Sequence, residues 1–147
     1  MDITYVIMLF FHLAGIIIAL GAVTVIDTLG FLGRNSVKWT ATTIQAHYVT
    51  KALIWVGTIL MALSWFFMLQ IPIEGLQLYK SLIILILIAN GCFLSFYISP
   101  RLTKHASFKP GELLPITLKD SITVSFVLSF LGWWSLVALT VISISVI

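Results

Sequence analysis

Ionisable side chains set inside long apolar runs are the first places to look for chemistry in this sequence. Residues 10–30 read FFHLAGIIIALGAVTVIDTLG, a stretch long enough to cross a bilayer that nevertheless holds His12 and Asp27. At helical pitch His12, Gly15, Ala19, Val23, Asp27 and Gly30 share one face. Charged groups in hydrocarbon are costly and turn toward a protein interior or a wet cavity. That face is therefore expected to be the inner wall of a helix bundle. Lys51, Lys80, His47 and Asn90 occupy other apolar runs and call for the same explanation.

The polar groups divide by depth. Asp27 lies about a turn or more inside one end of its span, and Lys51 lies at a comparable depth near the start of the next. An Asp27–Lys51 ion pair is the simplest way to satisfy both. An isolated charge at mid-bilayer costs roughly 2.5–3.5 kcal/mol even on a lenient insertion scale. His47 precedes Lys51 by one turn, so a His47–Asp27–Lys51 cluster is expected, acting either as an inter-helix clamp or as a proton path. His12 lies nine residues beyond Ile3, roughly 13 Å along the helix axis. It is either a buried, hydrogen-bonded neutral imidazole or a metal or heme ligand, since neutral imidazole suits both roles. Lys80 opens the third span on the same side as His12. It either snorkels outward or points inward to hold an anionic group. Asn90 is placed to hydrogen-bond a neighbouring helix or a bound ligand.

The rest of the chain must position these groups. It has 147 residues, of which 61% are hydrophobic and 9% charged. A soluble domain carries about a quarter charged residues, so the chain reads as an integral membrane protein. Apolar runs at about 3–32, 43–70, 77–99 and 120–146 each meet the roughly 20 residues that a span needs. They do not alternate in polarity as barrel strands do. The expected fold is all-α, a four-helix transmembrane bundle in a single domain. Pro72 and Gly75 mark a tight second connection, and Pro100 is expected to end the third span.

Arg34, Lys38, Arg101, Lys104, Lys109 and Lys119 fall at one end of the spans, and Lys80 at the other. The positive-inside rule puts the basic end in the cytoplasm and both termini on the outer, periplasmic side of a bacterial inner membrane. Trp39 and Tyr48 at one edge, and Trp65, Phe66, Phe67 and Tyr79 at the other, read as interfacial belts. Ser121, Ser125 and Ser129 form a helix-packing stripe. The lone Cys92 reads as a small buried filler. No phosphate loop, Cys-x-x-Cys site or serine-histidine-aspartate set appears, and the loop charges are a topology signal rather than a nucleic-acid site.

The stretches LFFHLAGIIIALGA around His12 and LQLYKSLIILILIANG around Lys80 resemble the small four-helix HemJ-type protoporphyrinogen oxidases and their CopD-like relatives. The resemblance implies heme b as cofactor, with His12 and Lys80 as functional residues. That clan commonly has a further histidine in span three, where this chain reads Asn90-Gly91. It also opens span four with an Asn-Glu-x-x-Pro pattern, where this chain reads Lys119-Asp120-Ser121-Ile122-Thr123. The resemblance therefore points to a relative in another role rather than to the oxidase itself.

The leading expectation is a heme-binding or heme-handling membrane protein, redox-active in its fullest form, with His12 as axial ligand and Lys80 as a propionate or substrate partner. One alternative is a non-enzymatic subunit or assembly factor, with a membrane-complex partner or a second copy of the chain. Another is a small oligomeric transporter or metal-permeation protein.

Overall fold

The structure, a computed structural model, describes residues 3–33, 36–68, 75–108 and 112–145. The turn at Pro72, and Arg34 and Lys109 in the basic loops, lie outside the described residues.

Four helices long and apolar enough to cross a membrane account for nearly all of them. Helices α1 (Ile3–Gly33) and α2 (Val37–Met68) contain no proline and run unbroken. The third crossing begins at Gly75, whose φ of 82° is a turn conformation that glycine adopts without strain. It runs as α3 (Leu76–Cys92), a π-helical segment (Phe93–Ile98) and α4 (Ser99–Phe108). The last helix, α5 (Ile116–Ser145), starts immediately after Pro115. The Pro115 carbonyl accepts from Leu118 and Lys119 at 3.1 and 3.0 Å, and proline's fixed φ suits that position.

The third span does not stop at Pro100, contrary to the sequence expectation. Proline removes one N–H and crowds the preceding turn, which breaks an α-helix whose register stays fixed. Here the register changes. The Ser99 N–H donates to Leu94 O, five residues back, and the wider turn lets the helix continue through the proline.

The bundle closes in a ring of α1, α2, the α3–α4 crossing and α5. Gly15 and Gly57 bring α1 and α2 into backbone contact. A Cβ added at Gly15 would lie 2.6 Å from Met61 N, and one at Gly57 would lie 2.7 Å from Ala19 N. Small residues that let backbones meet are the usual device where lipid is as apolar as leucine. Across α3 and α5, the Asn90 amide donates to Ser125 O at 3.2 Å and to Ser129 Oγ at 2.8 Å. Ser125 Oγ donates back to Asn90 Oδ1 at 2.7 Å. The contact of α2 with the third crossing depends on long side chains instead. Trp65 Nε1 donates to Ser81 Oγ at 3.2 Å, and Trp55 Nε1 to Ser95 Oγ at 2.9 Å.

Polarity is distributed inside out. Phe96, Ile116 and Leu78 are each more than 70% exposed, while His12, Lys80, Asn90 and Ser125 are buried. An apolar shell around a polar seam matches a bilayer as solvent. Hydroxyls outside the seam bond back to their own helices, as Thr24 does to Leu20 O and Thr28 to Thr24 O.

Candidate functional site

Helix α1 carries two polar sites, His12 and Asp27, roughly 22 Å apart along its axis.

His12 is 1% exposed and sits where α1 presses on α2. Its Nδ1 lies 3.1 Å from Met61 O. A carbonyl only accepts, so Nδ1 carries the hydrogen, and in the neutral ring Nε2 is left as an acceptor. Nε2 is buried and has no hydrogen-bond partner among the described residues. The imidazole lies against Trp65, with ring centroids 5.8 Å apart. On the same indole rests the Lys80 ammonium, 4.7 Å from the ring centroid. Lys80 is itself 2% exposed, so it points inward rather than snorkelling. The indole face supplies part of what water would give the cation.

Trp65 therefore belongs to the core, not to an interfacial belt. Phe66, Phe67 and Tyr79 are exposed on the bundle surface. The signal for Trp65 lay in spacing: His47, Lys51, Ile54, Thr58, Met61 and Trp65 repeat at four and three residues, the inner stripe of one helix. Gly15 and Ala19, which would have let either a helix or a flat ring approach His12, are taken up by α2. Asn90 spends both amide hydrogens on α5 and so acts as an inter-helix clamp in this arrangement.

Asp27, Lys51 and His47 come together around a cavity of about 200 Å3 toward the basic end. Its walls are mostly apolar, with Ile44, Ile54, Leu94 and Phe126 among them, and Lys119 also lines it. The expected Asp27–Lys51 ion pair does not form among the described residues. The Lys51 ammonium instead donates to Ser95 O at 3.3 Å. Asp27 Oδ2 and His47 Nε2 are both buried without a hydrogen-bond partner among the described residues.

The π segment explains where Lys51 goes. In the wider register Ser99 bonds to Leu94 O, and Pro100, which would serve Ser95 O, has no N–H to give. That carbonyl is an acceptor inside the bundle without a helical donor, and Lys51 fills it. Trp55 binds the hydroxyl of the same serine. Ser95 and Trp55 were not singled out from sequence, and Lys119 was read there only as a charge of the basic end. Pro100 inside an apolar run was the available clue to Ser95.

Among the described residues no group of three or more histidine, cysteine, aspartate or glutamate side chains is placed to hold a bare metal ion. Compared with known proteins, the chain matches no family model, no curated protein and no solved structure.

Proposed function

We propose that this is a heme-handling integral membrane protein, with His12 as the axial ligand. The observation that carries the reading is the His12 imidazole. One nitrogen is fixed by a backbone carbonyl while the other presents a buried lone pair that nothing among the described residues satisfies. Iron-ligating histidines characteristically donate their second N–H to a carbonyl or carboxylate in this way. A bare ion needs several protein ligands, whereas a porphyrin brings four of its own and asks the protein for one. By donor chemistry His12 meets that requirement without a second ligand residue beside it, and a porphyrin would have to part the helices packed around Nε2 to reach it.

When bound, heme would supply one-electron chemistry or an iron site for a small ligand. The chain's part is to hold the ring nitrogen in place, exclude water, and provide in Lys80 a buried cation suited to a carboxylate such as a propionate. The likeness of the His12 and Lys80 stretches to the HemJ-type and CopD-like clan supports the same assignment. The concentration of Lys and Arg at one end supports a cytoplasmic basic end, with both termini on the periplasmic side of a bacterial inner membrane.

The test is the visible spectrum of protein purified in mild detergent after expression with added heme precursor. A Soret band is expected, abolished in His12→Ala and weakened or shifted in Lys80→Met. Colourless wild-type protein would overturn the assignment.

A further inference from the structure

The second site invites a ligand of its own. Asp27 and His47 line the cavity, and Asp27 Oδ2 and His47 Nε2 are buried polar atoms without partners among the described residues. The Lys51 ammonium, held to Ser95 O, has further hydrogens to donate there. The remaining wall is mostly apolar and includes the rings of Trp55 and Phe126, with Thr40, Thr43, Thr123 and Lys119 among its polar members. At about 200 Å3 the space is smaller than the roughly 300–1,000 Å3 of drug-sized pockets. It suits one substituted ring.

The route in also restricts the ligand. Phe31 on α1 and Val127 on α5 both line the cavity and are both exposed. The cavity thus reaches the bundle surface between two apolar helices. In a bilayer that mouth opens toward lipid, so a bound head group would leave its tail in the membrane.

We propose that this cavity binds the head group of a lipid-soluble quinol or quinone. A quinol hydroxyl supplies the donor that Asp27 or His47 lacks, and the opposite oxygen accepts from Lys51. The ring packs on the apolar wall, and the tail passes between Phe31 and Val127. A fatty acid fits less well. Its carboxylate would meet Lys51 but set a second negative group beside Asp27, and it brings no donor for Asp27 or His47. The assignment rests on the cavity alone and is independent of whether His12 carries heme.

The test is equilibrium binding to the full chain in lipid nanodiscs, against empty nanodiscs. The probes are a decyl-tailed benzoquinone, its quinol, and decanoate as the carboxylate of equal tail length. Saturable one-to-one binding of the quinol is expected. Whichever of His47→Ala and Asp27→Ala removes the acceptor of that hydroxyl is expected to weaken it about tenfold, the worth of one hydrogen bond lost at a buried acceptor. Ile54→Trp fills the cavity and should abolish binding with every polar group intact. If that variant fails to fold, the two alanine variants, which only remove atoms from a cavity wall, still decide the matter. Binding no greater than to empty nanodiscs would overturn the proposal. So would binding indifferent to His47→Ala and Asp27→Ala, or decanoate bound as tightly as the quinol.

Discussion

The two ends of α1 solve the same problem in opposite ways. Around His12 the bundle is packed until backbones touch: Gly15 meets Gly57, and Trp65 closes over the imidazole and the Lys80 ammonium. Around Asp27 the Thr43 hydroxyl still ties α2 to Leu29 O of α1 at 2.7 Å, but a cavity opens inside the bundle and polar residues line it. The difference follows from which residues face α2. Gly15 and Ala19 permit contact, whereas beyond them α1 presents Ile26, Asp27 and Phe31 to the cavity. The tight end leaves no space beside its polar groups, whereas the open end keeps a cavity beside its own.

The sharpest way to break this contrast is to pry the tight end apart. Gly15→Leu puts a side chain where even a Cβ would lie 2.6 Å from Met61 N and 2.7 Å from Gly57 O, with backbone on the other side unable to yield. Loss of the folded monomer in detergent is the expected outcome, since overpacking already costs about 1–3 kcal/mol where side chains can adjust. Gly21→Ala is the control. Nothing lies within 4 Å of its added Cβ, so a gain of about 0.5–1 kcal/mol is expected from reduced backbone freedom. Equal thermal stability in the two variants would mean that α1 and α2 are not packed as described.

Next in size is the clamp between α3 and α5. Asn90→Leu removes three hydrogen bonds at once. Inter-helix hydrogen bonds in membranes average about 0.6 kcal/mol, so a loss of about 1–2 kcal/mol is expected in denaturant unfolding of reconstituted protein. Ser129→Ala should account for about a third of it. A neutral Asn90→Leu would argue that the bundle is held by packing alone at that level.

The two tryptophans of α2 compare the regions directly. Each donates its indole N–H to a serine of the third crossing. Trp65 is buried and also carries the Lys80 ammonium, while Trp55 is part-buried beside the cavity. Trp65→Phe is therefore expected to cost about 1–2 kcal/mol, from the hydrogen bond, lost volume and a weaker cation–π contact. Trp55→Phe should cost about 0.6 kcal/mol. Equal costs would erase the distinction between a packed and an open end.

Much of this arrangement could be read from the sequence, for identifiable reasons. Hydropathy over windows of bilayer length located the four crossings, because lipid demands a nearly continuous apolar run. Depth along α1 separated His12 from Asp27, because helical rise is constant. What stayed hidden were the partners. His12 is met by Met61 O and Lys51 by Ser95 O, and every residue has a carbonyl, so these acceptors leave no mark in the sequence. Pairing Asp27 with Lys51 was reasonable by charge and depth, but it overlooked a carbonyl freed by Pro100. Trp65 was misplaced because an aromatic near a span end is usually an anchor, and its place on the inner stripe of α2 carried less weight than it should have.

The smallest expected effect on stability bears most directly on how the open end is built. Pro100→Ala returns an N–H that, in the π register, faces Ser95 O. The gain of a helical hydrogen bond and the loss of the Lys51 contact nearly offset, so stability should change by no more than about 0.5 kcal/mol. The position of Lys51 should change more. Deprived of its carbonyl, the ammonium turns toward the unsatisfied Asp27 Oδ2, and the ion pair expected from sequence forms after all. Amine-selective reductive methylation of the intact protein reads this as an altered labelling rate at Lys51, with Lys38 and Lys104 unchanged as exposed references. Hydrogen exchange should show a protected amide at position 100. An unprotected amide together with an unchanged Lys51 would mean that the proline does not hold the lysine in place, and the open end would need another cause.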